Sequence, residues 1–242
     1  MTNPILTTQQ PTNLFAQTSF TPIDSIKAVF WDVDGTLVNS EPLFEHAVKV
    51  FCKNHNYDLS PEFIAKWAGT TLEATFNLIV LDFEATHLNF IDFKNEIMAY
   101  VIDNFEKAAH MFETLPDTLA MIQNRDIRQA VVSNGQRAIV SKSVQSVGEH
   151  FFEFSLAIED TVDGKPSPTP YLMAAEKMGI PPQNCLVIED SAAGLTSGLK
   201  AGMNVIASPS NHSYFMNNLE TFQKAHLLID RLERVDWDIV LR

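Results

Sequence analysis

Cysteine and positive charge are what this 242-residue chain is short of: it has two cysteines, and 17 Lys and Arg against 30 Asp and Glu, giving a net charge of −13. Cys52 and Cys185 lie far apart in apolar runs and fit no metal-ligand spacing, so the default is two buried free thiols in a reducing cytoplasm. A nucleic-acid partner needs a basic patch and an anionic membrane surface attracts one, so the charge balance argues against both as partners. No segment approaches the roughly 18–20 continuous apolar residues of a membrane span. The basic stretch followed by an apolar one that marks a secretory signal is also missing. No Gly-x-Gly-x-x-Gly follows the first strand, which removes a nucleotide-binding dehydrogenase. A strongly acidic chain is an awkward field for an anionic ligand, so any phosphate site must carry its own local positive charge.

What is present is 45% apolar residues, ample for a packed core in one large or two modest domains. Residues 1–25, rich in Thr, Gln, Asn and Pro, show no helical or strand period and read as a loose N-terminal extension. The chain is organised around the stretch that follows, Ile26–Glu41. Its apolar run from Ile26 to Val33 has the length and β-branched or aromatic content of a strand buried on both faces. The run ends on Asp32 and Asp34, which period-2 alternation sends to the same side while Val33 points away, and ligands of open parallel sheets sit beyond such strand ends. Gly35 allows a tight turn and a close backbone approach. Asp-Gly alone is a common turn pair. Asp-x-Asp-Gly-Thr, however, arises by chance in only about a few per thousand chains of this length.

From Asn39 to Met111 the chain reads as all-helical. Ser40 stands as a cap with Pro42 in the first turn, and Leu43, Phe44, Ala47, Val48, Phe51 and Cys52 recur at helical spacing. Further helical patterns cover Pro61–Lys66, Leu72–Leu81 and Phe90–Lys107, with no strand between them. Beyond Met111, helices alternate with strands at Arg128–Ser133, Ser155–Ile158, Cys185–Ile188, Asn204–Ala207 and Ala225–Ile229. That alternation predicts an α/β fold, a Rossmann-like doubly wound parallel sheet with right-handed crossovers. The polar residues then fall at one end of the strands: Ser133-Asn134-Gly135, Lys165-Pro166 after Ile158, and Glu189-Asp190-Ser191. Each is weak alone, as a turn, a solvated lysine and an acidic helix cap.

In this order and spacing, Asp32-x-Asp34-Gly35-Thr36, Ser133, Lys165 and Glu189-Asp190 resemble the four signatures of the haloacid dehalogenase superfamily of phosphohydrolases. The resemblance covers residues 26–208. Glu-Asp-Ser-x-x-Gly with a helical insertion is most similar to the branch holding β-phosphoglucomutase and small sugar-phosphate phosphatases. It implies domains at 26–38 with 112–242 (catalytic core) and 39–111 (helical cap), hinged near Leu37–Ser40 and Glu113–Pro116. It also implies a phosphoric monoester hydrolase acting on a small phosphorylated metabolite, as a monomer or homodimer. Asp32 would be the nucleophile, and Ser133 and Lys165 would bind the phosphoryl group together with Gly35, Thr36 and Asn134. Gly69 and Thr70 would sit in the cap's substrate loop. Phosphoglycolate phosphatases often carry an Asp four residues after the metal Asp; here that place is Gly194.

Four carboxylates, Asp32, Asp34, Glu189 and Asp190, converging at one sheet edge would raise one another's pKa values unless a cation neutralised them. An all-oxygen donor set favours Mg²⁺. The expected ligands are Asp32, the Asp34 backbone carbonyl and Asp190, with Glu189 acting through water. Asp32 would attack phosphorus to form an aspartyl-phosphate, and Asp34 would give a proton to the leaving alcohol and then take one from water. Arg137 is placed either to reach the substrate or to stay solvated on its helix. A hexose phosphomutase is the alternative within the branch, with phosphoglycolate phosphatase beside it. In the mutase, a His on the first cap helix and an Arg before the substrate-loop Gly are implied; their places here are Phe44 and Ala68, with His46 and Lys66 nearby as substitutes.

Overall fold

Strand β1 (Ala28–Trp31) is the axis of the molecule, and all four of its residues are buried, as a continuous apolar run requires. The structure is a computed structural model that describes residues 26–67, 71–210 and 212–241. The N-terminal extension 1–25 and the loop residues Ala68, Gly69 and Thr70 therefore lie outside the described residues. In chain order β1 is followed by β2 (Val38–Asn39), α1 (Glu41–Asn54), α2 (Pro61–Trp67), α3 (Leu72–Asp82), α4 (Phe90–Ala108), β3 (His110–Met111) and α5 (Leu115–Gln123). Then come β4 (Arg128–Val132), α6 (Arg137–Val147), β5 (Ser155–Leu156), α7 (Thr169–Met178), β6 (Cys185–Glu189) and α8 (Ala192–Lys200). The chain finishes with β7 (Asn204–Ala207), α9 (His212–Asn217), α10 (Leu219–Phe222), β8 (Leu227–Leu228) and α11 (Trp237–Val240).

Six strands form one parallel sheet in the order β5-β4-β1-β6-β7-β8. The chain builds outward from β1 on one side through β4 and β5, then crosses to the other side for β6, β7 and β8. Beside β1 is thus the point where the winding reverses, which is where open α/β sheets place a ligand crevice. Register aligns Trp31 with Val131 and with Ile188, so the next residue, Asp32, comes level with Val132 and Glu189. Alternation divides the core by sheet face: Val29, Trp31, Val131 and Ile188 join one apolar cluster, and Ala28, Phe30, Val132 and Val187 the other. A buried polar relay lies within the first cluster, with Trp31 Nε1 donating to Gln129 Oε1 at 3.0 Å and Gln129 Nε2 to the Leu119 carbonyl at 3.0 Å.

The insertion is helical, as expected. α1 turns Leu43, Ala47, Val48, Phe51 and Cys52 inward against Phe93, Ile97, Val101 and Phe105 of α4, and Phe51 meets Phe93 edge-on with centroids 4.8 Å apart. Thr71 and Asn89 cap α3 and α4 by accepting from the Ala74 and Asp92 amides at 3.1 and 2.9 Å. No strand lies between these helices among the described residues, but the ends of the stretch 39–111, expected to be helical throughout, are not helical. β2 and β3 pair antiparallel, Val38 with Met111 and Asn39 with His110, forming a two-stranded ribbon where the insertion leaves and rejoins the sheet. Two residues are too few to show an alternation, so β3 carried no signal. The short α9, α10 and α11 were likewise not anticipated. This is a doubly wound α/β core carrying an inserted helical cap.

Candidate active site

The carboxyl ends of β1, β4 and β6 deliver Asp32, Ser133 and Glu189-Asp190 to one place, and the segment after β5 brings Lys165 back beneath them. Lys165 is 7% exposed, and its ammonium has three acceptors: Asp32 Oδ1 at 2.5 Å, Glu189 Oε1 at 2.6 Å and the Val132 carbonyl at 2.7 Å. An ammonium carries three N–H donors, so all are engaged. Burial alone would lower the Lys165 pKa, but the Asp32 and Glu189 carboxylates outweigh it and hold the group charged, above its ordinary value. Asn134 fixes the backbone that carries this side chain. Its amide accepts from the Lys165 N–H at 2.8 Å and donates to the Lys165 carbonyl at 3.0 Å.

One ammonium does not balance the carboxylates gathered here. Oxygens of Asp32, Glu189 and Asp190 lie within 4.8 Å of one another. Burial first, and then the Glu189 charge, push Asp32 up to about 8, with Lys165 pulling the other way. Asp190 is pushed well above the ordinary range by burial, then by Asp32 and Glu189. Such a cluster of hard oxygen donors is matched to a divalent cation, which would relieve the repulsion. The Glu189 oxygens are heavily engaged: Oε1 accepts from Lys165 and from the Tyr171 hydroxyl at 2.7 Å, and Oε2 from the Ser191 hydroxyl at 3.1 Å and amide at 3.4 Å. Asp190 Oδ2 accepts from Ser210 at 3.0 Å.

Two glycines make this crowding possible. Gly35 has φ +79°, and a Cβ there would lie 2.0 Å from Asp190 Oδ2. A Cβ on Gly194 would fall 1.8–2.1 Å from the Glu189 carboxylate. The departure at Gly194 thus has a steric reason: with Glu189 buried in this position, no side chain fits there.

A sequence model of the haloacid dehalogenase-like hydrolases matches residues 29–208. The chain belongs to this family. It is 31% identical over 184 residues to pyrophosphatase PpaX of Oceanobacillus iheyensis, covering 76% of this chain and 83% of that one. It is 30% identical over 223 residues to 6-phosphogluconate phosphatase of Escherichia coli, covering 88% and 98%. Among solved structures, β-phosphoglucomutase of Clostridium difficile superposes with a TM-score of 0.68 over 88% of this chain and 94% of that one; at 19% identity the likeness is one of fold.

Several residues expected in the site of this haloacid dehalogenase-like hydrolase have other or additional partners. The Gly35 and Thr36 amides donate to the Val38 and Val33 carbonyls at 2.9 and 3.2 Å, which closes the turn after Asp34. Thr36 Oγ1 is buried with no partner among the described residues. Ser133 is buried and its Oγ accepts from the Gly135 amide at 2.9 Å. Ser40 does not cap α1: its backbone is helical, and its hydroxyl instead donates to Asp34 Oδ1 at 2.5 Å. The Arg137 side chain remains 38% exposed while neighbouring residues hold it. Its guanidinium donates to the Ser155 hydroxyl at 2.8 Å and carbonyl at 3.2 Å and pairs with Asp160, tying α6 to the end of β5. Tyr171 and Ser210 were missed. Tyr171 reads as one more apolar residue of an ordinary helix, and Ser210 sits in an irregular segment beyond β7. Gly69 and Thr70 lie outside the described residues.

Proposed function

We propose that the protein is a Mg²⁺-dependent phosphatase that hydrolyses a small phosphorylated metabolite, a sugar or sugar-acid phosphate, through an aspartyl-phosphate on Asp32. The observation that carries this reading is Lys165 Nζ set between Asp32 Oδ1 and Glu189 Oε1 at the sheet edge, with Asp190 beside them. Asp32, Asp190 and the Asp34 carbonyl would hold the cation, with Glu189 behind them. When bound, Mg²⁺ supplies compensation for the charge of the phosphoryl oxygens. The Asp32 carboxylate attacks phosphorus as the ester P–O bond breaks. Lys165, the Ser133 hydroxyl and the backbone amides of Asp34 and Asn134, which make no hydrogen bond among the described residues, face the equatorial oxygens. Asp34 gives its proton to the leaving alkoxide. It then takes a proton from the water that attacks the acyl phosphate, which frees inorganic phosphate and restores Asp32. Burial pushes the Asp34 carboxyl up, against Ser40 and Lys165, so it suits an acid that must enter protonated.

Residues 39–111 are proposed as the cap that selects the leaving group, with Gly69 and Thr70 in its substrate loop, over a core of 26–38 and 112–242. Hydrolysis is favoured over phosphomutase chemistry by the cap's cations. Lys66 pairs with Asp82 at 2.9 Å, and His46 stacks on Tyr100 with centroids 5.7 Å apart, so both have partners within the cap. A mutase needs such groups for a second phosphate. Glu189 filling the space beside Gly194 disfavours phosphoglycolate. Two free buried thiols suit a reducing compartment, and a cytoplasmic location is proposed on that ground. Among the described residues, no helix is long and apolar enough to cross a membrane.

The test is a panel of sugar, polyol and sugar-acid phosphates assayed for inorganic phosphate with wild type and Asp32→Asn. Stoichiometric phosphate from one or more esters, lost in the folded variant and independent of added bisphosphate, is expected. Bisphosphate-stimulated isomerisation of a hexose 1-phosphate without phosphate release would overturn the reading.

A further inference from the structure

We infer that the Tyr171 hydroxyl is a positioning group for Lys165, acting through Glu189. The inference rests on the phosphatase reading above and adds a residue that the four signatures do not include. Tyr171 lies on α7 and is wholly buried, with its ring stacked on Phe30 of β1 at a centroid distance of 6.4 Å. Lys165 Nζ stands 5.0 Å from the ring centroid, and the hydroxyl donates to Glu189 Oε1 at 2.7 Å. That same oxygen accepts from Lys165 at 2.6 Å.

Packing does not call for this hydroxyl. A phenylalanine would keep the ring contacts and leave no buried polar atom to satisfy. The phenol O–H is a donor to Glu189, on a ring that is itself wholly buried. What it does is share Glu189 Oε1 with the ammonium. All three Lys165 donors have protein acceptors, so contact with a phosphoryl oxygen requires one to be exchanged. The exchangeable one is the bond to Asp32, because that oxygen gives up its negative charge as it bonds to phosphorus. During the exchange, Glu189 and the Val132 carbonyl must hold the ammonium without drawing it away from the phosphoryl group. A Glu189 oxygen already occupied by the phenol attracts Lys165 less and is fixed in direction. A lone Glu189–Lys165 pair would be tighter and less exactingly placed.

The experiment is steady-state hydrolysis of p-nitrophenyl phosphate with Mg²⁺ by wild type, Tyr171→Phe, Glu189→Gln and the double variant, with thermal melts of each. The exchange at Lys165 accompanies the chemical step and not substrate binding, so Tyr171→Phe should lower kcat about tenfold while KM stays within about twofold. Its melting temperature should stay near that of wild type. Because the hydroxyl acts through Glu189, adding Tyr171→Phe to Glu189→Gln should lower kcat less than about twofold further. An unchanged kcat, a rise in KM alone, full multiplication of the two effects, or a Tyr171→Phe protein that fails to fold would each overturn the inference. If the wild type were active and only these outcomes failed, the phosphatase reading would stand. A wild type that released phosphate neither from p-nitrophenyl phosphate nor from any ester of the metabolite panel would overturn that reading, and this inference with it.

Discussion

The Ser40 hydroxyl donates to Asp34 Oδ1 across 2.5 Å, joining the residue that opens the first cap helix to the proposed acid–base. This bond favours the ionised carboxyl and works against burial, which raises the Asp34 pKa. Ser40→Ala removes it, so the Asp34 pKa should rise further. The alkaline limb of the kcat/KM profile, where Asp34 loses the proton it must donate, should move to higher pH. An unmoved limb, or one displaced to lower pH, would contradict the assignment of Asp34.

The carboxylate cluster sets a second expectation, for the metal-free protein. Asp32 is raised from 3.8 to about 8, and Asp190 is raised as well. A carboxyl raised on folding contributes stability that is complete below its ordinary value and is lost as pH rises through the shifted one. Thermal stability in chelator should therefore fall between about pH 4 and about pH 8. Mg²⁺ should restore it most at the upper end, where the carboxylates are ionised and the cation binds only the folded state. Chelation should abolish turnover and Mg²⁺ should return it. Melts that rise across this window, or activity returned by Zn²⁺ but not Mg²⁺, would contradict the hard-cation site.

Gly194→Ala places a methyl 1.8–2.1 Å from the Glu189 carboxylate, which three neighbouring residues hold in place. The carboxylate must shift or α8 must move away from β6. Overpacking of this kind costs about 1–3 kcal/mol, and displacing Glu189 also releases Lys165, so both stability and kcat should fall. Denaturant melts and kinetics of the purified variant check this. A variant as stable and active as wild type would show that Glu189 is free to relax.

The sheet was legible because three of its strands finish in apolar residues that stop on polar ones: Trp31 before Asp32, Val132 before Ser133, and Ile188 before Glu189-Asp190. Those endings also showed which side chains share an edge, and the structure brings Asp32, Glu189, Asp190 and Lys165 together. The sequence was less informative where one residue type serves two purposes. Ser40 before Glu41 has the form of a helix cap, yet its hydroxyl turns to Asp34, a contact that depends on how the turn folds back. Gly35 and Thr36 read as phosphate-loop residues, a reading that does not show their amides closing the turn onto Val38 and Val33. Tyr171 fits the helical period of α7 so well that its hydroxyl gave no separate sign. Strand β3 is two residues long and exists only through its pairing with β2.

The most direct measurement of the central claim is to trap the covalent state. Wild-type protein turning over a substrate ester would be quenched in acid, reduced with borohydride and digested for peptide mass spectrometry, since borohydride converts an acyl phosphate to the corresponding alcohol. The expected result is substrate-dependent conversion of the aspartate at position 32 to homoserine, with Asp34, Glu189 and Asp190 unmodified. Steady phosphate release with no modification at Asp32, or with modification at another carboxylate, would contradict the account.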